Sequence, residues 1–330
     1  MIHPATEENI QRAVELLHNG DLVVIPTETV YGLGADASNE SAIDKIYQVK
    51  NRPKINPLIS HYAEIKELSK DVELSTKARL LAKNFWPGPL TLILNKTTNS
   101  RISEQSSAGL KTAAVRIPQH PISLKLLKLF AKPLAAPSAN PSGRLSPSEA
   151  SHVYDLFQGN ISFILDGGSC NCGIESTIVD LSSDTVKLLR YGSISKEQIE
   201  NTLQEEILVA ATNEAIKAPG MLLKHYSPTT KLESNLSFEE LLSRDTTNQK
   251  IAVLIFGSKK NSQSQIEQLQ QKYFKIINLS QEGNLEEAAN KLFTSLHQLD
   301  KMALDKILVE AIPKQGLGLA INDKLRRATA

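Results

Sequence analysis

At 330 residues the chain exceeds the roughly 250 at which a single hydrophobic core stops growing, so two domains are expected. Its 37 Lys and Arg against 36 Asp and Glu exclude a global basic field for nucleic acid or membrane and leave only local charge to act. Two cysteines, Cys170 and Cys172, exclude a disulfide framework, make a weak case for zinc, and fit a reducing compartment.

The opening MIHPATEEN has no basic or apolar leader pattern, and no apolar run reaches the ~18 residues of a membrane helix, so a soluble cytoplasmic protein is expected. TEENIQRAVELLHNG then predicts a helix with Ile10, Ala13, Val14 and Leu17 on one face, Thr6 as N-cap and Gly20 as stop. LVVIP reads as a buried strand entering PTETVYGLG, a polar loop in which Gly32 and Gly34 imply either a sharp turn or close approach to a ligand. SAIDKIYQVKNR predicts a helix stopped by Pro53, and NPLIS the next strand, giving strand, loop, helix, strand.

STKARLLAKNFW is helical until PGP breaks it; LTLIL and AAVRI are strands, and PISLKLLKLF is a helix leading into LAAPSANPSG. In SPSEASHVYDLF, Ser146, Pro147 and Glu149 read as N-cap, first-turn proline and capping-box acid. ISFILDGG and ESTIVDL follow as strands. Strands outnumber helices here, which predicts an α/β fold with a twisted mixed sheet and flanking helices. Residues 206–231 lack a period and read as a linker between a domain of residues 1–205 and one of residues 232–330. The latter alternates helix and strand (FEELLSR, KIAVLIFG, SQIEQLQQKYF, KIINLS, LEEAANKLFTSLHQL, DKILVEAI, GLGLAINDKLRRA), predicting a smaller parallel α/β, Rossmann-like domain.

Polar or glycine-rich loops repeatedly follow apolar strands, the place where open α/β sheets bind ligands. Hydroxyls dominate them: Thr27, Thr29, Ser138, Ser146, Ser176 and Thr177, with no GxSxG elbow to make one a nucleophile. Lys50, Arg52, Lys54, Arg116 and Arg190 stand nearby and point to an anionic ligand. For Lys50 and Arg52 the competing role is service to a helix C-terminus, for Arg116 and Arg190 a structural one, and His61 alone reads as a strand-end residue. Neither GxxxxGK[ST] nor GxGxxG occurs, so bound phosphates would need another cradle.

In order along the chain, PTETVYGLG, KNRPKINPL, FWPGPLT, VRIP, APSANPSGRLSP, DGG and ESTIVD resemble the YrdC family of L-threonylcarbamoyladenylate synthases. APGMLLKHYSP and GLGLAINDKLRRA are similar to the linker and C-terminal domain of its longer, two-domain members. The resemblance implies a nucleotidyltransferase that joins L-threonine, bicarbonate and ATP into threonylcarbamoyl-AMP and pyrophosphate. Mg2+ would accompany the ATP, no metal would be held by the protein alone, and the product would pass to proteins that modify tRNA next to the anticodon. By motif position, Thr29, His61, Arg116, Ala136 and Ser176 resemble the threonine-binding groups. Arg52, Asn56, Thr112, Ser138, Ser146 and Arg190 resemble ATP contacts, and Lys50 joins Arg52 in a basic element assigned to catalysis. His225 and Tyr226 would cap the nucleotide from a linker that closes over the pocket. Arg52→Ala and Arg116→Ala are expected to fold normally and lose activity. The competing classes are an RNA-binding module, disfavoured by neutral charge and few aromatics, and a carbamoyl-transfer enzyme, whose further zinc-finger and acylphosphatase-like regions have no counterpart here.

Overall fold

The computed structural model describes residues 1–211, 217–219 and 226–329. They form two compact units, one of residues 1–142, 146–171 and 175–222, the other of residues 143–145, 172–174 and 223–330.

In the first unit the chain begins with β1 (Ile2–Pro4), which the sequence pattern did not predict, and α1 (Glu7–His18). Thr6 caps α1 by accepting from the Asn9 amide at 3.3 Å, and Ile10, Ala13, Val14 and Leu17 are its buried face, as the period requires. After β2 (Val23–Ile25) comes a difference from expectation: Gly32–Asp36 is a strand, β3, antiparallel to β2 with Ile25 opposite Gly32. The two glycines do not form a sharp turn. They admit neighbouring strands: a Cβ on Gly34 would stand 2.9 Å from the Val23 carbonyl oxygen, and one on Gly32 3.1 Å from Ala136 Cβ.

Then follow α2 (Glu40–Lys50), closed by Asn51 in a left-handed conformation ahead of Pro53, β4 (Ile59–His61), α3 (Ile65–Leu68), α4 (Thr76–Phe85), β5 (Leu90–Asn95) and β6 (Thr112–Arg116). Next are α5 (Pro121–Phe130), β7 (Leu134–Ala135) and α6 (Ala150–Phe157). Helix α6 starts later than expected, with Glu149 at its N-cap and no side-chain cap. Ser146 and Pro147 are held out of it, because the Tyr31 amide donates to the Pro147 carbonyl at 2.9 Å and the Cys170 amide to the Ser148 carbonyl at 2.9 Å. The unit ends with β8 (Ile164–Asp166), β9 (Thr177–Asp180), β10 (Lys187–Arg190), α7 (Lys196–Leu203) and β11 (Leu208–Val209).

Among the described residues these strands make one eleven-stranded sheet, ordered β1-β8-β2-β3-β7-β4-β6-β5-β9-β10-β11, in which parallel and antiparallel pairs alternate irregularly. The mixed sheet expected from the sequence is therefore present. Its core includes clusters around Tyr31, Ile43, Ile46 and Phe157, around Leu81, Trp86, Leu92 and Val115, around Leu17, Val23, Leu127 and Phe130, and around Ile59, Ile93 and Ile178.

In the second unit the strands β12 (Lys231–Leu236), β13 (Ile251–Ile255), β14 (Lys275–Asn278) and β15 (Lys306–Glu310) alternate with α8 (Phe238–Ser243), α9 (Gln263–Lys272), α10 (Leu285–Asp300) and α11 (Leu317–Ala328). All pairings are parallel, in the order β12-β15-β13-β14. Strand β12 has no clean alternation, with two buried, two half-buried and two exposed positions, which is why periodicity does not mark it.

The close approach at Gly34 makes a stability prediction. Gly34→Ala should destabilise the protein by about 1–3 kcal/mol, because backbone, not a movable side chain, occupies the space. An unchanged denaturation midpoint would show that β2 and β3 can part at no cost.

Candidate active site

The loop between β2 and β3 is pinned by its own first hydroxyl. Thr27 Oγ1 donates to the Val30 carbonyl at 2.6 Å, accepts from the Val30 amide at 3.2 Å and shares a hydrogen bond with Thr29 Oγ1 at 2.9 Å. This arrangement presents Glu28 and Thr29 to Arg116 at the end of β6. Arg116 donates from Nη2 to Glu28 Oε1 at 2.6 Å, from Nη1 to Thr29 Oγ1 at 2.9 Å and from Nε to the Gly88 carbonyl at 3.1 Å. The ion pair is almost fully buried, with side-chain exposures of 4% and 5%.

His61 lies beside Arg116 in the β4–β6 register, and its Nδ1 is 3.2 Å from the Ile59 carbonyl. Burial first, and then the Arg116 charge, lower its pKa from 6.5 to about 3, partly opposed by the Ile59 and Leu134 carbonyls. At neutral pH it is an uncharged imidazole. Ala136, just past β7, donates its amide to the Ile59 carbonyl at 3.0 Å and so lies against the start of β4.

Ser176 is tied to the same region through β5. Its hydroxyl shares a hydrogen bond with Thr91 Oγ1 at 2.8 Å, three residues from the Gly88 carbonyl that Arg116 grips. Arg190 at the end of β10 donates from Nη2 to Ser176 Oγ at 2.9 Å and from Nε to the Ser176 carbonyl at 3.0 Å. Next to Ser176, Glu175 accepts the Ser146 hydroxyl at 2.5 Å. Thr29, His61, Arg116 and Ser176 therefore belong to one linked set, which Arg190 and Ser146 join.

Lys50, Arg52, Asn56, Ser138 and Thr112 form a second set. Lys50, fully buried at the end of α2, donates to the Ser138 and Asn140 carbonyls. Burial and then the Arg52 charge hold its pKa well below the ordinary lysine value. Arg52 donates from Nε to the Asn56 carbonyl at 3.2 Å and from Nη2 to the Pro57 carbonyl at 3.0 Å. Extending the Ile59–Ala114 register by two residues brings Thr112 beside Pro57, at the opposite end of β6 from Arg116. Of the two remaining candidates, His225 lies outside the described residues. Tyr226 is buried in the second unit, its ring 5.6 Å from that of Phe293, with the Lys324 ammonium 5.4 Å from its centre.

Glu28, Thr91 and Glu175 do not stand out by residue pattern alone, although Glu28 lies in the PTETVYGLG stretch. A carboxylate between two threonines at the end of an apolar strand was the available signal. Only the return of β6 supplies the arginine that explains it.

Two family models match the chain: the Sua5/YciO/YrdC model, described as telomere recombination, over residues 15–192, and one described as threonylcarbamoyl-AMP synthase, C-terminal domain, over residues 194–330. The chain belongs to the Sua5/YciO/YrdC family. Within that family it is 39% identical to the threonylcarbamoyl-AMP synthase of Pyrococcus abyssi over 337 aligned residues, covering 98% of this chain and 94% of that protein. It is also 39% identical to the Bacillus subtilis threonylcarbamoyl-AMP synthase, covering 98% and 93%. The crystal structure of P. abyssi Sua5 complexed with L-threonine superposes with a TM-score of 0.89 at 37% identity, over 100% of this chain and 97% of that one. This Sua5/YciO/YrdC member thus has the two-domain architecture of its longer relatives from end to end.

The buried imidazole makes a pH prediction. The unfolded chain protonates His61 near pH 6.5 and the folded chain only near 3, so stability present above pH 6.5 declines as acid is added between those values. The slope from this group is at most about 1.4 kcal/mol per pH unit. Urea midpoints of His61→Gln measured from pH 7 to 4 should fall less steeply than those of the unmodified protein, and parallel profiles would contradict the assignment.

Proposed function

We infer that this chain is a threonylcarbamoyl-AMP synthase and that it works as a nucleotidyltransferase, joining L-threonine, bicarbonate and ATP and releasing pyrophosphate. The observation that carries this reading is likeness along the whole chain, in both domains, to relatives named for that product.

The site chemistry supports it. The attacking oxygen belongs to the threonine carbamate, so the protein needs no nucleophile of its own, only positioning and charge. Arg116 is suited to the threonine carboxylate, Thr29 and Ser176 offer hydroxyls to its polar groups, and neutral His61 and Ala136 limit the pocket. Arg52, Asn56, Thr112 and Ser138 would take the nucleotide, with Ser146 and Arg190 reaching it from the Ser176 side. Lys50 acts here from beneath the loop, as a positioning group for Ser138 and Asn140. Ser146, Ser176 and Glu175 are hard oxygen donors, which suit Mg2+ better than a softer metal. Mg2+ bound with ATP would neutralise charge on the phosphates. The product would feed tRNA modification next to the anticodon through separate transfer proteins. The linker of residues 206–231, with His225 and Tyr226, is proposed to gate the reaction, so a chain cut before residue 219 should yield less adenylate.

Purified protein with ATP and Mg2+ should release pyrophosphate only when L-threonine and bicarbonate are both present, with the adenylate identified by mass. Release without threonine would point to another acceptor. Steeply salt-dependent tRNA binding without turnover would favour an RNA-binding module.

Arginine variants test the two halves of the site. Alanine at Arg116 would strand the buried Glu28 carboxylate, a loss of about 3–5 kcal/mol, so the expectation of normal folding is revised for that position. Arg116→Lys keeps the charge and loses the fork; its threonine KM should rise at least about tenfold while ATP KM stays near normal. Arg52→Ala should show the reverse pattern, and wild-type turnover in both would remove these roles.

A further inference from the structure

The buried pair at the β2–β3 loop leaves part of each partner unused. A guanidinium has five N–H donors, and Arg116 places three of them, on Gly88, Thr29 and Glu28. One hydrogen on each terminal nitrogen remains, and a guanidinium can give one hydrogen from each of those nitrogens to a single carboxylate. Glu28 is likewise half used. Its Oε1 accepts from Arg116, whereas Oε2 is buried with no hydrogen-bond partner among the described residues.

A structural Arg–carboxylate pair commonly closes both oxygens on the guanidinium fork. This one commits a single oxygen, and the other stands desolvated, an arrangement that carries a penalty unless a donor arrives. The neighbouring titratable groups do not supply one. His61 is neutral beside Arg116. His120, which senses the Glu28 charge, has its own Nδ1 buried without a partner. Among the described residues no donor fills that place, which leaves the oxygen open to a ligand.

We propose that Glu28 Oε2 receives the α-ammonium of the amino-acid substrate while the free fork of Arg116 holds its carboxylate, and that Glu28 accepts the proton the ammonium gives up on becoming a carbamate. This rests on the synthase reading above. Ammonium and carboxylate sit on one carbon of an amino acid, so neighbouring Glu and Arg side chains match them together. The ammonium form cannot attack carbon, and a base within reach converts it to one that can. In the step, the substrate ammonium, bicarbonate and the Glu28 carboxylate become carbamate, water and the Glu28 carboxylic acid. An N–C bond forms and a bicarbonate C–O bond breaks. One ammonium proton leaves in the water and one goes to Glu28, which returns it to solvent after the product departs.

Glu28→Gln keeps an oxygen for Arg116 and removes the charge. Threonine KM should rise on the order of 10–100-fold and kcat fall on the order of 100-fold, with ATP KM unchanged. The kcat deficit should shrink above about pH 8, where the substrate amine begins to lose its proton unaided. The des-amino analogue 3-hydroxybutanoate should inhibit both proteins alike, because it has no ammonium for Glu28 to bind. If the Gln variant is insoluble, Glu28→Asp keeps the charge but withdraws it, and should retain part of kcat with a raised threonine KM. Unchanged threonine kinetics in either variant would overturn the proposal. So would a deficit constant across pH, since that assigns Glu28 to structure alone. A wild-type protein that releases no pyrophosphate in response to threonine would instead overturn the synthase reading itself.

Discussion

The buried ion pair of Glu28 and Arg116 is the constraint on which the site is organised. Two opposite charges removed from water are tolerated only when geometry and further hydrogen bonds compensate desolvation. Here the compensation comes from three separate pieces of chain: the β2–β3 loop through Glu28 and Thr29, the end of β6 through Arg116 itself, and the segment before β5 through Gly88. Because each contributes a partner, none can move without unpairing a buried charge. Burial, reinforced by the same guanidinium, keeps His61 neutral, so one cation fixes the shape of its surroundings and contributes to their protonation state.

A second buried cation does comparable work in another way. Lys50 ends α2 and reaches the Ser138 and Asn140 carbonyls, fastening the proline-rich loop after β7 to the helix. Even with its proton affinity reduced, an amine still has two N–H groups to give to the two carbonyls. Arg52 fastens the next turn by the same principle, through the Asn56 and Pro57 carbonyls. The basic cluster is thus largely a means of ordering irregular backbone that no sheet or helix would satisfy. This explains why hydroxyls and backbone groups, rather than a nucleophile with its base, dominate the site.

Much of this was legible in the linear chain. The apolar periods located α1, α2, α4, α5 and the alternating elements of the second unit, and Thr6 caps α1 as its position ahead of the period implies, because a short polar side chain satisfies the exposed amides where a helix starts. Arginines at strand ends and hydroxyl-rich loops marked the chemistry as recognition of an anion. The misreadings share one cause. Gly32 and Gly34 looked like turn residues, and Ser146 looked like a cap, because local pattern cannot reveal a partner strand or a distant carboxylate.

Most of the elements, the division into a mixed and a parallel α/β domain, and the kind of groups gathered in the loops follow from the linear chain, since hydrophobic period and residue chemistry are local properties. The tertiary structure alone decided which charges meet. Glu28 and Arg116 are 88 residues apart, and Ser146 and Glu175 are 29 apart. Sheet order brings them together, and burial then turns ordinary polar side chains into a committed ion pair and an uncharged imidazole.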